Sequence, residues 1–418
     1  MAKEILVRMY NVGFGDCFLI EYPGTGDVTR RILVDCGSIA AGPLTMTDVV
    51  EQILADTQDE NGLSHIDVLV CTHRHADHVS GFGNPKWKQV KVKEVWFPWT
   101  EDPDDPDATE IRESQAGLAL ALVNRWANPE SSSPGGINPE DSTPLGAEQA
   151  QWHAMALNAL TNQKAMTMLH EGIASRPKAF FLSGNGDPKR IKSEALPEIN
   201  AFVLGPSKSP EVIRDMNPPA GKTFLRQQIS SANTMEHLEP FSEDWPMDPS
   251  RFAEHADWNH LMVSDAHAKR IEQAASAWDP AVTVALEQAV NGTSLILAFE
   301  IGDAVLFFPG DAQWGTWNEM LQKPKARALI ERAGFWKVGH HGSHNATPQE
   351  FVQDWVSRQC CAMMSTKKGK WASIPRIPLV DAIKGKGIEM ASSDSRKNSD
   401  YKRFSVWNKQ RVETRLEM

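Results

Sequence analysis

Four residues with metal-binding side chains occur within six positions, directly after a predicted buried strand. The strand covers residues 66–71, and the four residues are His73, His75, Asp77 and His78. Two imidazoles separated by one residue on an extended turn can converge on one ion. Two ligands at the start of the next helix then point to a second ion about 3.5–4 Å away. The motif therefore predicts a metal centre at the end of a β-strand; a polar surface turn is the weaker interpretation.

The segments around this motif alternate between predicted strands and helices, which is typical of an α/β layered fold. A helix is predicted over residues 46–57, with Thr45 or Thr47 as its N-cap. The predicted strands cover residues 5–10, 18–22, 31–35, 66–71, 91–96, 179–183, 201–205, 294–300, 304–309, 336–338 and 360–365.

Two long stretches interrupt this alternation. The first contains predicted helices over 109–127 and 144–174, and the second is rich in proline and tryptophan. The second stretch is a candidate lid or dimerisation surface, so a homodimer is one expectation. We interpret residues 1–418 as a single domain with a core of about 1–99, 179–206 and 288–395 and with insertions at 100–178 and 207–287.

Two later segments supply further candidate ligands at the ends of strands. Asp311 follows an apolar strand and a glycine, so its carboxylate is expected at the same sheet edge, where it can bridge two metal ions. A short strand is followed by His340 and His341, with His344 close behind. Each segment alone is weak evidence, because Gly-Asp turns and surface histidine pairs are common. Together with the first motif, and in this order, they predict a dinuclear centre.

The sequence resembles the metallo-β-lactamase superfamily and, within it, the hydrolase domain attached to the bacterial competence channels that import DNA. The resemblance is carried by NVGFGDCFLIEY, RRILVDCGS, THRHADHVSGF, LFFPGDA and KVGHHGSH, and it covers the predicted core but neither insertion. It implies a four-layer αββα sandwich and a hydrolase with two divalent metal ions. Zinc is the first expectation for the metal, with manganese or iron as alternatives.

The resemblance also implies a role for each candidate residue. Asp35 would be an outer residue that orients a metal-bound histidine, with a strand-end cap as the alternative role. The implied ligands are His73 and His75 for the first metal, Asp77, His78 and His340 for the second, and Asp311 between the two.

The sequence departs from this pattern at one ligand position. Many members of the superfamily have another histidine ligand shortly before the strand that leads to Asp311. Here the corresponding segment is AVNGTS, with Asn291. The first metal would then be bound more weakly, be completed by water, or recruit a histidine from an insertion. The candidates for recruitment are His255, His260 and His267, for which an ordinary surface or core role is the more frequent alternative.

The expected mechanism is hydrolysis by a metal-bound hydroxide, because metal binding lowers the pKa of water to about 7. Asp77 would orient that water or accept its proton. His341 and His344 would donate a proton to an oxyanion or a leaving group, since imidazole titrates near neutral pH. A structural role is equally open for the two histidines.

The distribution of charge along the chain bears on the substrate. The net charge is −11, yet residues 312–418 contain 19 Lys+Arg and 10 Asp+Glu, whereas the preceding residues contain 24 and 44. A basic C-terminal quarter suits an anionic substrate, with Lys367, Lys368 and Lys370 as candidate phosphate contacts. Together with the resemblance, this favours a phosphodiesterase or nuclease that acts on nucleic acid or nucleotide. A solvated basic face is the alternative explanation of the charge.

Two other functions remain open. The same metal site can hydrolyse an ester, thioester or lactone, since one fold hosts many chemistries. A non-catalytic metal-binding interaction module is the third hypothesis. The sequence contains no run of roughly 18 apolar residues, no signal-peptide pattern, and five cysteines without metal or disulfide spacing. We therefore expect a cytoplasmic protein that does not bind membranes.

Overall fold

By contact, the chain divides into two compact units. The larger unit comprises residues 1–116, 158–225 and 288–418, and the smaller one comprises 117–157 and 226–287. The computed structural model describes residues 4–127, 144–160, 162–216, 218–219, 221–224, 282–343, 345–371, 374–395, 401–407 and 409–418.

The interpretation of the chain as one domain with two insertions stays a prediction. Residues 100–116 and 158–178, expected in the first insertion, lie in the larger unit. The described candidates for the metal centre all lie in that larger unit.

Strands make up the centre of the larger unit. They form two large sheets and one two-stranded ribbon. In chain order they are β1 (Glu4–Tyr10), β2 (Gly13–Phe14), β3 (Phe18–Pro23), β4 (Thr29–Val34), β5 (Ala40–Ala41), β6 (His65–Val70), β7 (Lys91–Pro98), β8 (Lys178–Leu182), β9 (Lys189–Ile191), β10 (Asn200–Gly205), β11 (Ile296–Ile301), β12 (Ala304–Phe308), β13 (Ala333–Lys337), β14 (Cys361–Met364), β15 (Glu389–Ser392), β16 (Phe404–Trp407) and β17 (Arg411–Glu417).

Each large sheet has a parallel half and an antiparallel half. The eight-stranded sheet has the order β16-β17-β1-β3-β4-β6-β7-β8, and the seven-stranded sheet has the order β15-β14-β13-β12-β11-β10-β9. Strands β4, β6, β7 and β8 of the first sheet pair in parallel, as do β12 to β15 of the second. The carboxyl ends of parallel strands meet at one edge of a sheet, and the candidate metal ligands follow these ends.

The two large sheets pack face to face. The rings of Phe18 on β3 and Phe308 on β12 have centroids 5.8 Å apart. Trp96 on β7 stacks on Phe299 on β11 at 6.2 Å. All four side chains are buried. Strands covered on both faces consist of nearly continuous apolar residues, and this is why the sequence revealed most of them.

Helices cover the outer faces of both sheets. On the first sheet, α1 buries Ile53 in the cluster that contains Leu69 of β6. On the second, Trp317 of α8 lies 5.9 Å from Phe307 of β12. The layers are therefore α/β/β/α, and the predicted fold class is confirmed. The helices are α1 (Met46–Asp56), α2 (Ala76–Val79), α3 (Pro106–Ala127), α4 (Pro144–Leu160), α5 (Gln163–Thr167), α6 (Pro210–Arg214), α7 (282–291), α8 (Trp314–Leu321), α9 (Pro324–Ile330) and α10 (Ile377–Gly385). Among these helices of the described segments, none combines the length and the apolar character that crossing a membrane requires.

The helix predicted over 144–174 is interrupted in the structure. The chain forms α4, then α5 after Asn162, and then a π-helical turn over Met168–Gly172. The Asn162 amide nitrogen donates to the carbonyl of Asn158 at 2.8 Å and to that of Arg74. Such side-chain bonds compete with the helical pattern, which explains the break. The N-cap of α1 is Thr45, one of the two predicted residues, and it forms a capping box with Asp48.

Two strands near the C-terminus were not predicted. Strand β17 pairs antiparallel with β1 along its whole length, from Glu4 opposite Glu417 to Tyr10 opposite Arg411. Strand β16 adds to its other side. The first sheet therefore includes residues beyond 395. The sequence did not reveal β17 because RVETRLE alternates charged residues with apolar ones and gives a weak strand signal.

Candidate metal centre

The candidate ligands come together in loops that follow parallel strands of both sheets. Asp35 follows β4, the first motif follows β6, and Asp311 follows β12. His340 and His341 follow β13 in a single turn of 3-10 helix. The side chains are almost completely buried, except for that of His340, which is partly exposed.

The turn that contains the first motif is fixed by Asp35 through Thr72. The Asp35 carboxylate accepts the backbone N–H of Thr72 at 2.8 Å and the Thr72 hydroxyl at 2.7 Å. Further along the turn, the guanidinium of Arg74 donates to both carboxylate oxygens of Glu101 at 2.9 Å. Bidentate pairs of this kind have a defined geometry. The turn is therefore held at both ends.

A glycine allows the helix of the motif to approach β4. A Cβ added at Gly37 would lie 2.5 Å from the carbonyl oxygen of Ala76 and from the backbone of His78. That distance is shorter than any real contact of a Cβ atom, so only glycine fits. The bond from the N–H of Cys36 to the carbonyl of His78, 2.8 Å long, forms beside it.

Asp77, His78, Asp311 and His341 form one half of the cluster, the carboxylate half, and can jointly offer ligand atoms to one ion. The Nε2 atom of His78 lies 3.1 Å from Oδ2 of Asp311, and Nε2 of His341 lies 3.0 Å from Oδ2 of Asp77. The opposite nitrogen of each ring is already paired. Nδ1 of His78 lies 2.8 Å from Oδ2 of Asp35, and Nδ1 of His341 lies 2.9 Å from the carbonyl oxygen of Ser365.

These pairings indicate that a cation belongs in the carboxylate half. A neutral imidazole that donates through Nδ1 presents a lone pair at Nε2, and here each Nε2 faces a carboxylate oxygen. Two electron-pair donors at 3 Å require a proton or a metal ion between them. In addition, Oδ1 of Asp77 is buried without a hydrogen-bond partner among the residues that the structure describes. The donor set of two imidazoles and two carboxylates suits zinc, manganese or iron.

The pKa directions agree with this requirement for positive charge. Burial alone would lower the pKa of His78, but the carboxylates of Asp311 and Asp35 outweigh burial and raise it well above its ordinary value. The pKa of His341 is also raised, because its bond to Asp77 outweighs burial. Burial would raise the pKa of the Asp77 carboxyl, but the neighbouring histidines hold it far below its usual range. Without metal, the cluster therefore attracts protons.

His73, His75, Asn291 and His340 form the other half, the imidazole half. Nε2 of His73 lies 3.1 Å from Nδ1 of His75. The amide oxygen of Asn291 lies 2.9 Å from the same Nδ1 atom, and its amide nitrogen lies 3.3 Å from Nε2 of His340. Burial lowers the pKa of His75 to about 4 and also lowers the pKa of His73 and of His340. These imidazoles are neutral at pH 7, as metal ligands must be.

Two buried charged residues of the cluster were not predicted from the sequence. The ammonium group of Lys337 on β13 contacts the carboxylate of Asp16, lies 3.0 Å from Oδ1 of Asp311 and donates to the carbonyl of Gly310 at 3.2 Å. Oδ1 of Asp311 also accepts the N–H of His340 at 3.0 Å. Asp311 therefore presents only Oδ2 to the histidines. The sequence feature that could have indicated a buried charge here is Lys337 itself, which lies in the otherwise apolar segment AGFWKV.

Strained backbone is concentrated at the cluster. Among the described residues, five that are not glycine have a positive φ, and three of them are Asp35, His340 and His341, with φ of 57°, 44° and 53°. Left-handed backbone costs roughly 1–2 kcal/mol at such residues, and strain of this kind is typical of functional sites. The two successive left-handed residues turn His340 and His341 to different halves of the cluster.

The structure brings the described candidate ligands together in these two halves. It groups His341, rather than His340, with Asp77, His78 and Asp311, while His340 contacts Asn291. Asp35 has the contact to a candidate ligand that the resemblance implied. His344, His255, His260 and His267 lie outside the described residues.

The three candidate lysines lie in a loop over residues 366–371, after β14, which we call the lysine loop. The ammonium group of Lys370 lies 4.9 Å from the ring centroid of Trp371. Trp371 contacts Phe14 edge-on at 6.2 Å, and Phe14 lies 4.3 Å from the ring of His341. Lys367 donates to the carbonyl of Ala41 at 2.8 Å, and Lys368 is exposed. The ribbon of β2 and β5 thus joins the lysine loop to the carboxylate half.

Comparison with protein families gives one match. Residues 10–148 match the model of the metallo-beta-lactamase superfamily. The match covers about a third of the chain, including the whole first motif, and supports the superfamily resemblance. No curated protein matches the sequence. The superfamily match, the α/β sandwich and the buried His/Asp cluster together indicate a metal-dependent hydrolase. The narrower resemblance to the competence-channel hydrolases stays a prediction.

Proposed function

We propose that the protein is a metal-dependent phosphodiesterase that acts on nucleic acid or nucleotide. The observation that carries the metal part of the proposal is the carboxylate half, where two buried imidazole nitrogens face two carboxylate oxygens at 3.0 and 3.1 Å. Facing acceptors need a proton or a metal ion, and one divalent ion would satisfy both pairs of the carboxylate half at once. Two divalent ions are proposed, one in each half, with zinc as the first expectation.

Within this proposal, each half has its own set of ligands. The first ion would be held by His73 and His75. The second would be held by Asp77, His78 and His341, and Oδ2 of Asp311 would lie between the two. His341 takes the place of His340 because its Nδ1 atom is bound by the Ser365 carbonyl, so its Nε2 atom can only face the carboxylates. Asp35 would keep His78 in one tautomer and ring orientation.

Bound divalent ions would lower the pKa of a water molecule and polarise the oxygen of the substrate. The residues of the chain position that chemistry. Among the proposed metal ligands of the described residues, Asp77 has a buried oxygen, Oδ1, without a hydrogen-bond partner, and this oxygen would orient the attacking water or accept its proton. His341 is held at both ring nitrogens, so we assign it to ion binding and not to proton donation.

The lysine loop supports an anionic substrate. Its contacts run from Lys370 through Trp371 and Phe14 to His341, which places cationic and aromatic side chains beside the carboxylate half. Cations suit phosphate groups, and an aromatic ring suits a nucleobase by stacking. A neutral ester or lactone substrate would not need the cations.

The first experiment measures hydrolysis of bis-(p-nitrophenyl) phosphate by the purified full chain in zinc and in manganese. We expect activity in the wild type and its loss in His75→Ala, which removes an imidazole from the first ion. His65→Ala is the matched control, because His65 lies at the start of β6, away from the cluster. Metal-loaded wild type without activity would contradict the phosphodiesterase proposal and favour an ester or lactone substrate. Metal-loaded protein that hydrolyses neither phosphodiesters nor esters nor lactones would favour a non-catalytic binding module.

Removing the charges of the lysine loop is expected to weaken nucleic-acid binding. In Lys367→Ala/Lys368→Ala/Lys370→Ala, the dependence of log Kd on log salt for a single-stranded oligonucleotide should decrease by up to about 2, since each phosphate contact contributes about 0.7. Fluorescence anisotropy at several salt concentrations measures this. The control replaces three exposed lysines elsewhere, Lys189, Lys192 and Lys325, and removes the same charge. Equal slopes in the two triple variants would show that the lysine loop does not contact phosphate.

A further inference from the structure

We propose that the amide oxygen of Asn291 is a further protein ligand of the first metal ion, beside His73 and His75. It would replace the histidine that the superfamily resemblance implies at this position. The inference rests on the proposed function, since it concerns the ions that the hydrolase would bind. It also makes a histidine recruited from an insertion unnecessary.

The distances around Asn291 carry this assignment. Its amide oxygen lies 2.9 Å from Nδ1 of His75, and that atom lies 3.1 Å from Nε2 of His73. In a tetrahedral site with ligand distances near 2.0–2.1 Å, neighbouring ligand atoms are about 3.3 Å apart. The distances from Nδ1 of His75 to the other two donor atoms are thus close to those between neighbouring ligands of one ion. The side chain is also buried, with an exposed fraction of 1%.

Backbone hydrogen bonds fix the position of Asn291 relative to the turn that contains His73 and His75. The carbonyl of Asn291 accepts the N–H of Ser294 at 3.0 Å, which closes the turn between α7 and β11. The next residue, Leu295, donates its N–H to the carbonyl of Thr72 at 2.9 Å. Thr72 directly precedes His73. The amide is therefore attached, through two short backbone bonds, to the turn that carries the other two ligands.

His340 explains the orientation of the amide. Its Nε2 atom lies 3.3 Å from the amide nitrogen of Asn291. If Nε2 accepts a hydrogen bond from that nitrogen, the amide oxygen must point to His75. The left-handed backbone at His340 turns the ring towards Asn291 and away from the carboxylate half. His340 is thus a positioning residue for a ligand in the imidazole half.

The exchange of an imidazole for an amide oxygen has a chemical consequence. Imidazole ligands suit zinc, whereas carbonyl and carboxylate oxygens suit manganese and magnesium. The first position should therefore discriminate less strongly between zinc and manganese than a site with three histidines. The second position, with its two imidazoles and two carboxylates, is unaffected by Asn291.

Metal titration of the full chain tests the assignment without relying on activity. The probes are cobalt, zinc and manganese, added singly to metal-free protein, with stoichiometry from elemental analysis and ligand-field absorption from cobalt. The wild type should bind two equivalents. Asn291→Ala should weaken one equivalent by at least about 100-fold, the upper end of what the loss of an outer partner costs. Asn291→Asp, which keeps an oxygen donor, should bind two. Asn291→His should bind two with a stronger preference for zinc and a changed cobalt spectrum.

The controls separate ligand loss from general damage. Asn61→Ala, at an exposed turn, should behave as the wild type. His340→Ala should weaken the same equivalent as Asn291→Ala. His340→Gln should restore it, because its amide oxygen can accept the same hydrogen bond. Two equally tight equivalents and an unchanged cobalt spectrum in Asn291→Ala would overturn the inference and leave the proposed function standing. A wild type that binds no metal would overturn both.

Discussion

Substitution of Asp311 by alanine is expected to abolish hydrolysis while the chain stays folded. Oδ2 of Asp311 lies 3.1 Å from Nε2 of His78 and 3.8 Å from Nε2 of His341. It is therefore the carboxylate that faces the histidines from the second sheet. Metal ions typically contribute several kcal/mol to the stabilisation of a transition state. A loss of about 4 kcal/mol corresponds to a decrease of roughly 1000-fold in kcat/KM.

The fold should survive because Lys337, the cation that contacts Asp311, has a second carboxylate partner. Lys337 still contacts Asp16, and its charge remains compensated. The measurements are kcat/KM for bis-(p-nitrophenyl) phosphate, metal content and the circular-dichroism melting curve. Asp303→Ala, an exposed aspartate in the turn between β11 and β12, is the matched control. Full activity in Asp311→Ala would exclude the proposed centre. An unfolded variant would instead be examined as Asp311→Asn, which keeps the shape of the side chain and an acceptor for the N–H of His340.

The sequence predicted most of the sandwich because its strands are buried on both faces. The residues of β12, for example, form an apolar run that is followed by a glycine and a candidate ligand. The strand β17 was missed since it alternates charge with apolar residues. The end of α4 was missed because the break depends on Asn162 reaching Arg74, 88 residues away in the sequence. Local patterns contain no information on such a contact.

Part of the candidate centre was also predictable from the sequence. A dense motif such as His73 to His78 needs no knowledge of distant residues. The grouping of His341, rather than His340, with Asp77 could not be predicted, because it depends on two consecutive left-handed backbone conformations. The sequence shows that position 291 has no imidazole, but it does not show that the amide of Asn291 contacts His75. Asp16 and Lys337 are 321 positions apart and meet only in the fold.

The buried pair of Lys337 and Asp16 predicts the largest effect on stability. Lys337 is 3% exposed and contacts Asp16 and Asp311 together. Burial would lower the pKa of Lys337, but the two carboxylates outweigh burial and raise it above its usual value. The lysine is therefore charged in the folded protein, and its removal leaves two buried carboxylates without their counter-ion. Breaking a buried pair in this way costs about 3–5 kcal/mol.

We therefore expect Lys337→Met to lower the free energy of unfolding of the metal-free protein by about 3–5 kcal/mol in a urea titration. Methionine fills a similar volume, so the loss reports the charge and not a cavity. The double variant Asp16→Asn/Lys337→Met should recover part of the loss, because neutralising Asp16 removes one uncompensated carboxylate; couplings between contacting residues are typically about 0.5–3 kcal/mol. Lys325→Met, at an exposed position on α9, should change stability by no more than about 0.5 kcal/mol. If Lys337→Met were as stable as the Lys325 control, the ammonium group would not be the counter-ion of the cluster, and the carboxylates would have to be neutralised by protons alone.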